Sequence, residues 1–204
     1  MKKNWLSYIC MAVLLSGVLS SCNESSFLDL KDPNHFTGNN FWKNKADAES
    51  ALAAAYSPIK YQMYGYFGAF DGWLNLNGRG DDIFTITNEE PGMWAIANFQ
   101  NSPTTGNDPY GALFTGVQRA NVVLRYIDNV PATGITEEDR SMIKGEALFL
   151  RGYQYFLLVN NYKEVPLRII PSNEDEPNKP AASEAVLWKQ AEDDLTEAIK
   201  CNLP

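Results

Sequence analysis

The chain has 204 residues, 45% of them hydrophobic, with 17 Lys and Arg against 25 Asp and Glu and a net charge of −8. That is one ordinary domain's worth of sequence, with enough apolar content for a core. Phosphate binding needs a clustered basic face, and the sequence shows none, so the acidic balance argues against a nucleic-acid partner.

Residues 1–21 read as a lipoprotein signal peptide. Lys2 and Lys3 form a basic start, and Ile9 to Leu19 is an apolar run too short to span a bilayer. Leu19-Ser20-Ser21-Cys22 matches a bacterial lipobox, and polar Asn23-Glu24-Ser25-Ser26 follows at once. Cleavage before Cys22 would leave its thiol to carry the lipid, and a thiol with two or three acyl chains anchors stably. The mature chain would have 183 residues (204 minus 21) and a charge near −10 (−8 minus the two lysines). Cys10 leaves with the signal and Cys22 is lipidated. Only Cys201 remains, so no intrachain disulfide is expected and packing must hold the fold together.

Residues 22–43 are expected to be a lipidated tether and docking strap. Turn signals at Asp32-Pro33-Asn34 and Thr37-Gly38-Asn39 alternate with Phe27, Leu28, Phe36, Phe41 and Trp42, which are too apolar for a free linker. His35, the single histidine, lies between turn residues, a surface or capping context rather than a catalytic one. The helical domain is then expected over residues 44–204.

Asn44 to Tyr56 reads as a first helix, capped by Asn44, with Pro58 ending or kinking it. Residues 61–102 show no sustained helical or strand period and are rich in Gly, Asn, acids and aromatics. A long aromatic loop inside a compact domain is uncommon and usually functional. Aromatic faces beside Asp, Asn and Arg are what a carbohydrate site needs, since sugar C–H faces stack on rings and hydroxyls bond planar polar groups. Any single one of these rings more often fills a core beneath the loop. Asp108 to Val130 reads as a second helix, with Asp108 as cap, Pro109 in the first turn, and Tyr110, Phe114 and Asn121 on the inner face. Asn121 should bond a neighbouring helix or loop backbone. Thr136 caps a long third helix, largely buried and apolar on several faces, whose stripe is Ile143, Ala147, Leu150, Tyr153, Gln154 and Leu157. Phe149 and Phe156 fill other sides and demand neighbours there. Val165-Pro166-Leu167 is extended, residues 171–182 form an acidic Pro-rich loop, and Ser183 starts a fourth helix with Leu187, Trp188, Ala191, Leu195, Ala198 and Ile199 inward.

Taken together these residues resemble the SusD/RagB-like glycan-binding lipoproteins of Bacteroidetes outer membranes. The resemblance rests on Cys22 with Phe27-Leu28-Asp29-Leu30, on Lys45 to Tyr56, on Arg119-Ala120-Asn121, on Asp193 to Ala198, and most specifically on Gly145 to Arg151 with Val165-Pro166-Leu167. Gly152 stands where alanine is usual, and Lys163 where the family turns with glycine. It implies an all-α fold of irregular tetratricopeptide-like antiparallel helix pairs with a long aromatic loop, although no 34-residue self-similarity is visible. It also implies a truncated product, since such proteins continue for several hundred residues. The implied function is capture of oligosaccharide at the outer surface of the cell outer membrane and its delivery to a SusC-like TonB-dependent transporter, with no cofactor, metal or catalytic residue. Ligand contacts are expected from the loop after the first helix, with Asp71, Trp73, Arg79, Asp81 and Trp94 as candidates by position and type. The alternative is a helical protein-interaction scaffold that binds no sugar. Paired-carboxylate glycoside hydrolysis is disfavoured, because Asp81-Asp82 and Glu89-Glu90 are adjacent in sequence and do not converge on one bond.

Overall fold

The computed structural model describes residues 41–63, 80–81, 95, 97–100, 110–201 and 203. Among these residues the chain forms α1 (Lys45–Met63), α2 (Tyr110–Tyr126), α3 (Glu137–Tyr162) and α4 (Glu184–Lys200). A two-residue ladder joins β1 (Val165–Pro166) to β2 (Ala181–Ala182), antiparallel, with Val165 opposite Ala182. The fold is all-α and built from antiparallel helix pairs of the tetratricopeptide-like kind. The signal segment, Cys22 and most of the tether lie outside the described residues, as do Asp108, Pro109 and most of the aromatic segment.

Residue pairs fix the helix directions. Gly116 of α2 lies against Gln154 of α3, and Arg140 at the start of α3 donates to the carbonyls of Ile127 and Val130 at the end of α2. These two helices are therefore antiparallel. Lys45 reaches Asp139 and Tyr56 reaches Glu146, so α1 runs parallel to α3. Gly145 abuts Cys201 and Gly152 abuts Ala191, so α4 is antiparallel to α3.

The central helix starts where its sequence places it. The Thr136 hydroxyl accepts from the Asp139 amide at 3.1 Å, and Glu137, Glu138 and Asp139 put negative charge on the positive end of the helix dipole. Its first half shares a core with α1 and the end of α2 through Ile143, Ala147, Leu150, Ala48, Leu52 and Val123. Its second half packs with the start of α2 and with α4 through Tyr155, Leu158, Leu113, Val117 and Leu187. Trp42 is buried against the first of these cores, 6.0 Å from the Tyr126 ring, as expected for that end of the strap.

Four sequence expectations are corrected. Pro58 does not end the first helix, which runs on to Met63. A proline at 58 deprives the Ala54 carbonyl of its helical amide donor, and the Arg119 guanidinium supplies a replacement at 2.9 Å. The second helix tightens after Tyr126 into a 3₁₀ turn over Ile127–Asn129, where the Arg140 guanidinium takes up the terminal carbonyls. Phe149 and Phe156 are 42% and 43% exposed rather than covered. Their rings instead contact Tyr153 (6.3 Å, stacked) and Trp188 (5.8 Å, edge-on). Ile199 is 80% exposed, because the inner stripe of α4 is Leu187, Ala191, Asp194 and Ala198.

The corner after α3 carries stored strain. Lys163 has φ 63° and ψ −66°, and the Glu164 amide closes a three-residue turn onto the Tyr162 carbonyl at 2.7 Å. This γ-turn conformation is rare and strained for a residue with a Cβ, so the corner favours glycine over lysine. Lys163→Gly is expected to raise stability by about 0.5–1 kcal/mol, strain relief outweighing the added freedom of the unfolded chain. Urea midpoints of the two proteins measure it, and a lower midpoint for the glycine variant would contradict it.

Candidate functional site

Two polar constructions organise the region around α2. The first is buried. Arg151 grips Asp194 with two bonds, Nε to Oδ2 at 2.8 Å and Nη2 to Oδ1 at 2.7 Å. Its Nη1 donates to Asn121 Oδ1 at 2.9 Å. Asn121 in turn donates to the carbonyls of Arg168 and Ile170, which is the loop-backbone partner its inward position requires. One network thus ties α2, α3, α4 and the segment after β1.

That segment is fixed again by Tyr155. Its hydroxyl accepts from the Arg168 amide at 2.6 Å and donates to the Arg168 carbonyl at 2.9 Å. Burial pushes the phenol well above its ordinary range. Its folded value lies above its unfolded one, so its contribution to stability is complete below about pH 10 and is lost as pH rises further. Stability should therefore fall between pH 9 and pH 11, and Tyr155→Phe should flatten that fall. Urea midpoints at the two pH values test this, and an equal slope in the variant would contradict it.

The Arg168 side chain reaches the other way. It donates to Asp175 at 3.1 Å and to the Glu176 and Pro177 carbonyls. Lys179 meets the same carboxylate at 3.0 Å. Burial raises the Asp175 carboxyl, but Lys179, the Glu176 amide and Arg168 together hold it below its usual value. The acidic loop at 171–182 is therefore an ordered turn around Asp175.

The second construction is open. Between α2 and the 166–172 segment lies a groove of about 430 Å³, within the roughly 300–1,000 Å³ span of small-molecule sites. Tyr110 and Phe114 form one wall, their rings 4.7 Å apart and tilted by 50°. Tyr162 meets Tyr110 edge-on at 5.1 Å. Arg119, Gln118 and Arg168 bring polar groups, and the Ser172 amide donates to Gln118 Oε1 at 2.8 Å across the groove. The groove offers ring faces and donors, which suits polyhydroxylated or charged ligands.

Of the residues expected to contact ligand, Asp81 is exposed at a bend. Asp71, Trp73, Arg79 and Trp94 lie outside the described residues, as does the lipidation candidate Cys22. Downstream of them Ala95 and Ala97 are helical, Ala95 is buried, and Phe99 ends the turn at φ 56°. Tyr110 and Phe114 lie on the inner face of the second helix, as the sequence implies, and pack against the core there; the groove they also line is not legible in the sequence. Its far wall comes from residues about 50 positions later, and no local pattern announces that pairing. Among the described residues no cluster of His, Cys, Asp and Glu could hold a metal ion, and no helix is long and apolar enough to cross a membrane.

Residues 26–201 match a SusD-like family model described as starch-binding and associating with the outer membrane. The chain belongs to the SusD-like family. A SusD-like protein of Formosa agariphila is 26% identical over 98% of this chain and 38% of its own length. A laminarin-binding SusD-like protein of known structure superposes with a TM-score of 0.65 at 28% identity, covering 78% of this chain and 34% of the other. A SusD superfamily protein of Bacteroides vulgatus gives a TM-score of 0.66 at 24% identity, over 79% of this chain and 35% of its own, a likeness of fold alone. The chain therefore spans little more than a third of the length of these SusD-like relatives.

Proposed function

We propose that this SusD-like chain is a cell-surface glycan-binding lipoprotein of the outer membrane, anchored through Cys22 and facing the cell exterior. The supporting observation is the family match over residues 26–201, with its description of starch binding at the outer membrane. The laminarin-binding relative adds weight to an oligosaccharide ligand. In this reading the protein performs no chemistry on the sugar. It delivers the oligosaccharide to a SusC-like TonB-dependent transporter, and nucleic acid is no partner. Residues 1–21 are removed, 22–43 tether the protein, and 44–204 form the N-terminal helical part of the SusD-like fold.

Asp71, Trp73, Arg79, Asp81 and Trp94 are the proposed ligand contacts of the aromatic segment. A stacked ring contributes about 0.5–1.5 kcal/mol beyond its buried area, so losing two should weaken binding at least tenfold. The Trp73→Ala/Trp94→Ala pair is therefore expected to lose binding to an oligosaccharide that the unaltered chain holds in calorimetry against a glycan panel. Unchanged affinity in the pair would remove these residues from the site. Absence of any glycan binding by the unaltered chain would favour the scaffold alternative. Cys22→Ala should release the protein from the membrane fraction, and retention there would contradict the anchor.

A further inference from the structure

We propose that the groove between α2 and the 166–172 segment is a binding site for an acidic sugar, one bearing a carboxylate or a sulfate, separate from the aromatic segment at 61–102. The inference rests on the reading of this chain as a glycan binder.

Charge carries the argument. The chain has a net charge of −8, yet among the described residues the groove is lined by two arginines and by no Asp or Glu. Arg119 gives Nη1 to the Ala54 carbonyl and, among the described residues, pairs with no carboxylate. Arg168 and Lys179 share the carboxylate of Asp175, and the Glu176 and Pro177 carbonyls hold the rest of the Arg168 guanidinium, so the cation left for an anion in the groove is Arg119. An anion gains most where fixed cations lack a local partner and the wall is apolar. Arginine is the side chain suited to planar bidentate recognition of carboxylates and similar oxyanions.

The rings select a sugar over a bare anion. Tyr110 and Phe114 line the groove as Arg119 does, and Phe114 precedes Arg119 by five residues, about 7.5 Å along a helix axis and about 140° around it, so rings and guanidinium flank the groove from two sides. A substituted sugar ring lying on the aromatic pair can thus direct its charged group toward the guanidinium. At the mouth, a Cβ added to Gly111 would meet nothing within 4 Å, so the entrance is open.

The test uses the 204-residue chain and three oligosaccharides of equal length, one neutral, one built of uronates and one sulfated, titrated by calorimetry at low salt. Polyglutamate serves as an acidic polymer without sugar rings. At least one acidic oligosaccharide should bind tenfold or more tighter than the neutral one, and tighter than polyglutamate. Gly111→Glu places a carboxylate at the mouth, in the first turn of α2, where the helix dipole tolerates it. It should weaken acidic binding at least tenfold, while Gly111→Gln, similar in size without the charge, should cost less than threefold. Whichever acidic probe binds identifies carboxylate or sulfate as the recognised group. Equal affinity for neutral and acidic probes, equal affinity for polyglutamate, or indifference to Gly111→Glu would overturn the inference. Neutral binding that vanishes in the Trp73/Trp94 pair and ignores Gly111→Glu would keep the glycan-binding reading and sink the groove. Acidic binding lost in Gly111→Glu but intact in that pair would support the groove and remove Trp73 and Trp94 from the site. No binding to any oligosaccharide would remove both.

Discussion

Asp194→Ala is expected to cost about 3–5 kcal/mol of folding stability, the usual result of stranding one member of a buried ion pair. Arg151 is 9% exposed and Asp194 3%. Removing the carboxylate leaves a guanidinium that water cannot reach, and it also takes a partner from Gln190, whose amide bonds Asp194 at 2.9 Å. Domains of this size have about 5–15 kcal/mol in total, so the variant should unfold at a far lower urea concentration or arrive partly unfolded. A double change, Arg151→Met with Asp194→Leu, fills the space without charge. It should recover at least half of the loss, since a well-packed apolar pair often matches a buried ion pair. A single-variant loss under about 1 kcal/mol would mean that the pair contributes little and water reaches the arginine. That scale of effect is typical of exposed pairs.

The same pair shows where the sequence was legible and where it was not. Caps and periodicity are local, so Thr136 and the course of α3 could be read directly. So could the antiparallel hairpin across the short loop at 131–134. The inward Asn121 predicted its own backbone partner. On α4 the apolar pattern puts Leu187, Trp188, Ala191, Leu195, Ala198 and Ile199 inward, spread over two adjacent stripes. The true inner stripe contains Asp194, which a hydrophobic pattern passes over because only its long-range partner Arg151 makes burial affordable. Passing over it places Ile199 inward by mistake, whereas Trp188 and Leu195 are indeed half-buried, Trp188 against the core and Leu195 against Gly152. Phe149 and Phe156 erred for a related reason. An apolar side chain on a helix does not specify a neighbour, and these two rings settle against Tyr153 and Trp188 instead. Pro58 was given its ordinary penalty, but Arg119, 61 residues later, meets the orphaned carbonyl. The groove has the same character, since Arg119 and Arg168 meet only in three dimensions. By contrast, the ligand candidates Asp71, Trp73, Arg79, Asp81 and Trp94 rest on the family resemblance, on position after the first helix and on residue type, which identify chemistry without identifying geometry.

Leu150→Asp should abolish the fold rather than tune ligand binding. Leu150 is fully buried, packed among Ile143, Ala147 and Ala120 in the core that α1, α2 and α3 share. Leu150→Ala alone removes a buried side chain and leaves a cavity, a loss of about 2–5 kcal/mol. Aspartate adds the burial of a carboxyl group. Left ionised without a partner it is prohibitive, and protonated it still costs on the order of 1–3 kcal/mol if no hydrogen bond is made. Arg151 is adjacent in sequence, but its guanidinium is already held by Asp194 and Asn121, and recruiting it would break that network. The sum reaches the whole stability of an ordinary domain. Far-UV circular dichroism should show loss of helix in the aspartate variant and near-native helix with a lowered midpoint in the alanine variant. A folded aspartate variant with an unchanged melting temperature would mean that α3 is not the helix around which the others pack. If it melts as expected, any glycan binding it loses reports on the scaffold alone, which is why ligand contacts are to be tested at Gly111, Trp73 and Trp94 instead.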